Sequence, residues 1–309
     1  MQEKQNVLEV RHLSISFTQY ARGMQRRELH AVRDLDLTIH AGEVLAVVGS
    51  SGSGKSLLAN GILGLLPYNA TMTGEVCYLG EQLTDKRRKK LLGHEIVLVP
   101  QSVGCLDPLM KVGQQVHHSS RDPKQKTRAR EALARYGLAP EVDEMYPFEL
   151  SGGMARRVLI ATAAMEQPRL VIADEPTPGL HLRAAKRILS HFREIADSGA
   201  AVLLITHDLE LALTVADRVA VFYAGMTLEE AAAGDFEQEE LLRHPYSRAL
   251  WRAMPSHGFA PTAGVQPYVQ DMPKGCPFGP RCEHYTEQCS AEIPLRQLRD
   301  GRVRCIRAE

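Results

Sequence analysis

The sequence lacks any apolar stretch near the roughly 20 residues that a membrane-spanning helix needs. It also lacks an apolar leader, because its first five residues are too polar for a signal peptide. These two absences predict a chain that stays in the cytoplasm and does not itself cross a membrane.

The sequence lacks an excess of charge of either sign: 37 Lys and Arg residues balance 37 Asp and Glu residues. No overall positive field would therefore draw the chain to nucleic acid or to an anionic lipid surface. Local basic runs remain, and one of them, residues 86–90, is interpreted as a solvated helix face.

The 309 residues, 44% hydrophobic and 24% charged, are typical of a globular protein, either one substantial domain of two or more lobes or a large domain with an appended piece. Apolar and polar residues alternate over residues 7–17 and 31–39, which predicts half-exposed antiparallel strands. Three continuous apolar runs, each followed by a helical pattern, indicate buried parallel strands of an α/β domain: residues 44–48, 170–173 and 201–205.

The chain divides by pattern into four parts. Residues 108–167 show no convincing strand and are mostly helical, at 124–136 and 153–166, which indicates a helical insert. After Trp251, a stretch rich in Pro and Gly reads as a linker to a cysteine-rich tail. The predicted boundaries are 1–107 and 168–254 for the two parts of the α/β core, 108–167 for the insert, and 255–309 for the linker and tail.

A phosphate-binding loop is predicted directly after the run at 44–48 and before an apolar helix at 57–66. The residues match G-x-x-x-x-G-K-[ST], with glycines that let successive N–H groups face a phosphate. Lys55 would add a point charge and Ser56 a hydroxyl ligand for Mg²⁺. A flexible glycine loop is the alternative, and the flanking strand and helix argue against it. The loop consists of Gly49, Ser50, Ser51, Gly52, Ser53, Gly54, Lys55 and Ser56.

Two adjacent acids, Asp174 and Glu175, end the second buried run. Adjacent carboxylates near a core are costly unless they have a function. Asp174 is the predicted Mg²⁺-side residue, and Glu175 is the predicted general base that orients the attacking water. The alternative is a helix N-cap at Asp174.

The third buried run ends in Thr206, His207 and Asp208, where an imidazole can reach a terminal phosphate. A lone histidine is more often a capping or packing residue. If the three strands are neighbours, however, their ends meet at the edge of the sheet where ligands of open α/β folds bind.

Cysteine is unevenly distributed: Cys77 and Cys105 are isolated, and four cysteines crowd the end of the chain. In a reducing compartment, such a late cluster indicates metal ligands rather than disulfides. The four are Cys276, Cys282, Cys289 and Cys305.

The string from Leu150 to Met154, Leu-Ser-Gly-Gly-Met, resembles the signature motif of ABC ATPases, and the other motifs follow in the family's order. The resemblance implies that Phe17 stacks on adenine, that Gln101 is the glutamine-loop residue and Mg²⁺ ligand beside Ser56 and Asp174, and that His207 is the switch histidine. It implies a P-loop NTPase of the ABC type, with an antiparallel β subdomain, a helical insert and a small cysteine-rich extension.

In that family the signature residues form a second anion site, at the start of a helix, for the γ-phosphate held by the other protomer. These residues are Ser151, Gly152 and Gly153 here. Two subunits would therefore sandwich two ATP molecules head to tail. Gln101 would link the nucleotide to the helical insert, which receives a membrane-spanning partner.

The C-terminal strings at 244–250 and 275–282 resemble the ATPases of oligopeptide, dipeptide and nickel importers, some of which carry an iron–sulfur cluster. The spacing C-x5-C-x6-C-x15-C lacks the C-x2-C pairs of zinc fingers, so a structural [4Fe–4S] cluster is favoured over Zn²⁺ or free thiols. The implied partners are a second ATPase subunit, two membrane permease subunits and an extracellular substrate-binding protein, with no nucleic acid. The chain would act peripherally at the cytoplasmic face of the inner membrane.

One residue departs from the family pattern: His181 stands where an Asp is usual in the loop that contacts the partner. This departure favours a heterodimer with a non-identical ATPase.

Two other functions share parts of this pattern. A soluble ABC ATPase acting on nucleic acid or ribosomes would need no permease, and an iron–sulfur redox protein would use the tail as its active part. Zero net charge, a single cassette and the importer-like tail argue against the soluble ATPase, and the redox protein would require the tail's cluster to change oxidation state during turnover. Peptide, nickel and metal-chelate cargo are not distinguished by these residues.

Overall fold

The computed structural model describes residues 5–20 and 25–309. Its larger sheet has eight strands in the order β11-β12-β10-β9-β3-β8-β7-β6, and the five strands from β9 to β6 are parallel. The bounds are β3 Val44–Val48, β6 Ile96–Val99, β7 Leu170–Asp174, β8 Ala201–Thr206, β9 Arg218–Tyr223, β10 Met226–Ala232, β11 Arg296–Leu298 and β12 Gly301–Val303. The three buried runs of the sequence are therefore parallel strands, as predicted, and they lie next to one another in the sheet.

The smaller sheet is antiparallel, in the order β2-β1-β4-β5. Its strands are β1 Asn6–Tyr20, β2 Arg26–His40, β4 Ala70–Tyr78 and β5 Glu81–Gln82. The alternating pattern predicted β1 and β2 correctly, whereas β4 and β5 were not predicted.

Eight α-helices occur in the described residues. They are α1 Lys55–Leu63, α2 Asp85–Leu91, α3 Val112–Val116, α4 Pro123–Arg135, α5 Gly152–Met165, α6 Leu182–Asp197, α7 Leu209–Leu213 and α8 Pro245–Arg252. Within 108–167 the structure has α3, α4, α5 and short 3-10 turns but no strand, which confirms the helical character of this segment. The helix predicted at 57–66 ends earlier, because Gly64 adopts a left-handed conformation and terminates α1.

Both faces of the larger sheet are covered, which explains the uninterrupted apolar runs. Along β3, Val44, Ala46 and Val48 pack into one hydrophobic cluster with the helical segment. Leu45 and Val47 pack into a second cluster with α1 and the antiparallel sheet. The phosphate-binding loop therefore begins at the end of a strand that is fixed on both sides.

The cysteine-rich tail is joined to the core by backbone pairing and by a buried arginine. Strand β12 pairs with β10, so the tail supplies edge strands of the larger sheet. Arg304, only 2% exposed, donates to the carboxylate of Asp34 at 3.0 Å and to its carbonyl at 2.9 Å. The tail is thereby fixed to β2 as well.

The basic run at 86–90 lies in helix α2, but it is not a wholly solvated face as predicted. Arg88 is buried, and its Nε donates to the carbonyl of Ile62 at 2.9 Å. This contact satisfies a carbonyl in the last turn of α1 that has no partner within its own helix, which explains the burial of a charged side chain.

Among residues 5–20 and 25–309, no helix combines the length and the apolar character that crossing a bilayer requires.

Candidate nucleotide site

Three predicted motifs meet at one edge of the larger sheet. Strands β3, β8 and β7 are adjacent and parallel, so the loops that follow them leave the sheet on the same side. These loops carry the phosphate-binding segment, the pair Asp174 and Glu175, and His207. Side chains from motifs more than 100 residues apart in sequence touch there.

The phosphate-binding loop is shaped by its glycines and by Lys55. Gly52 and Gly54 have positive φ angles, which the loop needs in order to turn its N–H groups inward. Lys55 is 6% exposed, and its Nζ donates to the carbonyls of Gly49 at 2.8 Å and Ser50 at 3.0 Å. Burial lowers the pKa of Lys55, and the nearby carboxylates of Glu175 and Asp174 oppose that shift.

Asp174 faces the loop across the site. Ser56 Oγ donates to Asp174 Oδ1 at 3.2 Å. Burial raises the pKa of Asp174, and the bond from Ser56 opposes the shift. Two oxygen ligands side by side, one of them a half-buried carboxylate, suit Mg²⁺. The N-cap alternative for Asp174 is wrong, because the residue ends β7 and His181 caps the following helix α6.

Glu175 adopts a left-handed backbone conformation, with φ 46°, that is rare outside glycine. Its N–H donates to the carbonyl of Ile205 at 2.9 Å, which holds this turn against β8. The side chain is largely buried, and its Oε2 lies 2.7 Å from Nδ1 of His207. The base and the histidine predicted from separate strands are therefore in direct contact.

His207 is not a capping residue, because Asp208 caps helix α7 by accepting from Leu211 N at 2.9 Å. The imidazole is 59% exposed and lies beside the buried carboxylate of Glu175. It is therefore accessible from the surface where a nucleotide would enter.

The signature residues lie at the start of helix α5, as the sequence indicates. Ser151 is the N-cap, and its hydroxyl accepts from Met154 N at 3.3 Å. A surface cleft of about 480 Å³ lies beside Ser151 and Gly153 and is also lined by His181 and by arginines of α5 and α6. Helix N-termini and arginines favour an anion there. His181 caps α6 by accepting from Ala184 N at 3.3 Å.

Phe17 and Gln101 lie at the margins of the site. Phe17 pairs with Leu29 in β2, two residues before Ala31, whose carbonyl faces Gly54 of the phosphate-binding loop. Gln101 follows β6, the neighbour of β7, and is exposed. No hydrogen bond of the Gln101 side chain occurs within the described residues.

Arg156 on helix α5 is a connecting residue that the sequence did not reveal. It donates to the carbonyls of Glu175 at 3.2 Å and Pro178 at 2.9 Å. It therefore joins the signature helix to the loop that carries the candidate base. Its position five residues after the N-cap Ser151 was the only available signal.

The four late cysteines line one narrow cavity, together with His244. None of the six cysteines forms a disulfide. No three of the four tail sulfurs, all within the described residues, lie within 4.8 Å of one another. Burial raises the pKa of Cys276 to about 11 and raises those of Cys282 and Cys305.

Comparison with known families gives two matches along the chain. The model described as ABC transporter matches residues 32–178, which include the phosphate-binding loop, the signature and the two acids. The model described as oligopeptide/dipeptide transporter, C-terminal region, matches residues 229–289.

Curated relatives and solved structures agree with these matches. The oligopeptide transport ATP-binding protein OppD of Escherichia coli is 35% identical over 98% of this chain and 93% of its own length. The dipeptide transport ATP-binding protein DppD of the same organism is 35% identical over 96% and 94%. MJ0796, a bacterial ABC transporter cassette solved as a dimer, covers 73% of this chain and 98% of its own at TM-score 0.63 and 26% identity. A post-hydrolysis structure of that cassette, bound to ADP and Pi, gives the same values.

A phosphate-binding loop, two acids after a buried strand, and a signature at a helix start define a P-loop ATPase that uses ATP and Mg²⁺. With 35% identity over nearly its whole length, the chain belongs to the ABC transporter family, among the ATP-binding subunits of the oligopeptide/dipeptide group. It is the ATP-hydrolysing subunit that energises import. Membership of this group implies partners that form the membrane pathway and partners that bind the substrate.

Proposed function

We propose that this subunit drives the import of short peptides. The relatives that match almost the full length are named for oligopeptide and dipeptide transport, and the match extends through the C-terminal region. Nickel or metal-chelate import is the alternative within the same group. Uptake of labelled dipeptides and of nickel by the reconstituted transporter, measured side by side, separates them.

The 2.7 Å contact between Glu175 and His207 carries the proposed hydrolytic mechanism. Glu175 acts as general base and aligns the attacking water, while His207 holds that carboxylate and reaches toward the γ-phosphate. Lys55 and the loop N–H groups bind the phosphates, and Phe17 stacks on the adenine. Mg²⁺, held by Ser56, Asp174 and Gln101, would neutralise phosphate charge.

The proposed division of the chain follows the same functions. Residues 1–107 and 168–254 form the ATPase core, 108–167 form the insert that meets the permease, and 255–309 form the linker and the four-cysteine region. The exposed Gln101 lies between the core and the insert, which suits a link between nucleotide and permease.

We infer that the transporter has two permease subunits, an extracellular binding protein and a second, non-identical ATPase, and that no nucleic acid takes part. This chain then works peripherally at the cytoplasmic face of the inner membrane. The support for a non-identical ATPase is His181, which caps α6 in the cleft beside Ser151, at the position where the family usually has an acid.

A transporter assembled with this chain as its sole ATPase is therefore expected to transport at a small fraction of the rate of the two-ATPase complex. Peptide uptake into liposomes, normalised to the amount of complex, is the measurement. His181→Asp is the matched variant, because Asp is also a good N-cap and leaves α6 intact. Full transport by the single-ATPase complex would contradict the heterodimer.

We further propose that the four tail cysteines bind a [4Fe–4S] cluster, with Zn²⁺ as the alternative. Around a tetrahedral zinc, thiolate sulfurs lie roughly 3.8 Å apart, as follows from a Zn–S distance of about 2.3 Å. In the part of the chain that the structure describes, no three of the four sulfurs lie within 4.8 Å of one another, so they are not gathered as zinc ligands would be, and the lack of C-x2-C pairs in the sequence also favours the cluster. Such a group cross-links four positions of a segment with few apolar residues and so stabilises its fold. Binding to the metal also favours the thiolate form of the cysteines, whereas burial alone favours the protonated thiol.

Anaerobically purified protein is expected to be brown and to contain about four irons per chain. Cys276→Ser should remove most of the iron and lower the unfolding midpoint, because one ligand is lost. Cys105→Ser, at an exposed and isolated cysteine, is the matched control and should change neither property. A colourless wild-type chain with one zinc would contradict the cluster.

A further inference from the structure

Tyr246 reaches the phosphate-binding loop from the C-terminal region. Its ring is buried against Tyr223 and Phe278, at centroid distances of 4.5 and 5.2 Å. Its N–H donates to the side chain of His244 at 3.0 Å, which fixes the start of α8. From this position the hydroxyl accepts a hydrogen bond from Ser50 N at 3.3 Å.

A second contact comes from the segment 259–275, which we call the strap. Gln266 Oε1 accepts from Ser50 Oγ at 2.5 Å, and Gln266 Nε2 donates to the carbonyl of Gly52 at 3.4 Å. The contact joins residues 216 positions apart. A single side chain of the strap thus touches two residues of the loop.

The strap is held on both sides of Gln266. Arg281 donates to the carbonyls of Ala263 at 2.9 Å and Thr262 at 3.1 Å. On the other side, Arg33 of β2 donates to the carbonyl of Pro273 at 3.5 Å. These anchors leave Gln266 little freedom to drift from the loop.

Binding of ATP is expected to change the hydrogen bonds that hold the first half of the phosphate-binding loop. In this structure Lys55 bonds the carbonyls of Gly49 and Ser50. We expect bound phosphates to draw the ammonium of Lys55 away from these carbonyls, whereas the contacts of Tyr246 and Gln266 with Ser50 and Gly52 would remain. A loop that keeps its shape loses less conformational entropy when it binds a ligand.

We propose that Tyr246 and Gln266 are positioning residues of the nucleotide site, which brace the phosphate-binding loop from the C-terminal region. The inference rests on the proposed phosphate role of the loop and adds a function for the strap. Linkage is reciprocal: if the contacts of Tyr246 and Gln266 strengthen nucleotide binding, then bound nucleotide must strengthen these contacts and so stabilise the strap.

Gln266→Ala is expected to weaken binding of Mg·AMP-PNP, a non-hydrolysable ATP analogue, by about three- to tenfold, the usual effect of one or two neutral hydrogen bonds. Tyr246→Phe, which removes only the hydroxyl, should have a similar effect. Titration calorimetry on the full chain measures both. Gln270→Ala is the matched control: the same residue type on the strap, with no side-chain hydrogen bond in the described residues.

The variant Gln266→Glu distinguishes two roles for Gln266: positioning the loop next to the bound phosphates, or a contact that only stabilises the fold. A carboxylate beside the loop repels the triphosphate, so this variant should bind more weakly than Gln266→Ala, and added salt should shrink the difference. A structural contact would give no such salt dependence.

The effect of the nucleotide on the strap is measured by hydrogen exchange. AMP-PNP should slow hydrogen exchange of residues 259–275 in the wild type and in Gln270→Ala, but much less in the Tyr246→Phe, Gln266→Ala double variant. The proposal would be overturned if Gln266→Ala bound Mg·AMP-PNP as tightly as wild type and unfolded at the same midpoint. This result would decide the matter even if Tyr246→Phe failed to fold. Failure of the wild-type chain to bind AMP-PNP would instead overturn the phosphate role of the loop.

Discussion

Glu175→Gln is expected to lower ATP turnover by about a hundredfold or more while leaving ATP affinity within about twofold of wild type. A general base contributes roughly 10² to 10⁴ in rate, and the amide cannot accept the proton of the attacking water. The substitution preserves size, and the neighbouring His207 keeps a hydrogen-bonding partner. Phosphate release under saturating Mg·ATP measures the rate, and equilibrium titration measures the affinity.

The matched control for that variant is Glu210→Gln, at an exposed glutamate in the first turn of α7, three residues after His207. Its side chain has no hydrogen bond in the described residues, and its turnover should equal that of wild type. If Glu175→Gln kept turnover within a few-fold of wild type, Glu175 would not be the base.

Lys55→Ala is expected to weaken binding of Mg·AMP-PNP by about ten- to a hundredfold, because charged hydrogen bonds contribute roughly 1.5 to 3 kcal/mol. Removing this ammonium also takes away a positive charge that interacts with Asp174 and Glu175. Calorimetric titration gives the affinity. The thermal shift produced by the ligand gives a second reading, since a weaker ligand stabilises the folded state less at equal concentration.

Lys89→Ala provides the control for Lys55, at an exposed lysine of helix α2. It should bind the analogue as wild type does. Equal affinity in Lys55→Ala and Lys89→Ala would remove Lys55 from the phosphate site.

The sequence predicted the phosphate-binding loop, the two acids and the histidine at the ends of strands because these signals are local. A buried strand followed by a glycine loop or by two acids can be recognised within about ten residues, and parallel neighbours bring such ends together. The contact of Glu175 with His207 and that of Ser56 with Asp174 follow from this geometry.

The sequence did not predict the contacts between residues far apart along the chain. Arg88 looked like one of several solvated cations, and only the packing of α2 against α1 gives it a carbonyl partner. Gln266 lies in a stretch that reads as a linker, yet it touches a loop more than 200 positions away. Periodicity and spacing carry no information about such pairings, so the sequence predicted a linker and a cysteine-rich tail but not that the tail adds strands to the larger sheet.

The most direct test of the account is peptide uptake into liposomes that contain the permease, the second ATPase and either wild-type chain or Glu175→Gln, with the binding protein outside. If hydrolysis by this subunit energises import, uptake of labelled dipeptide requires ATP on the side of this chain and falls to a small fraction in the variant. Equal uptake with the variant, or uptake without ATP, would contradict the claim that hydrolysis by this subunit energises import.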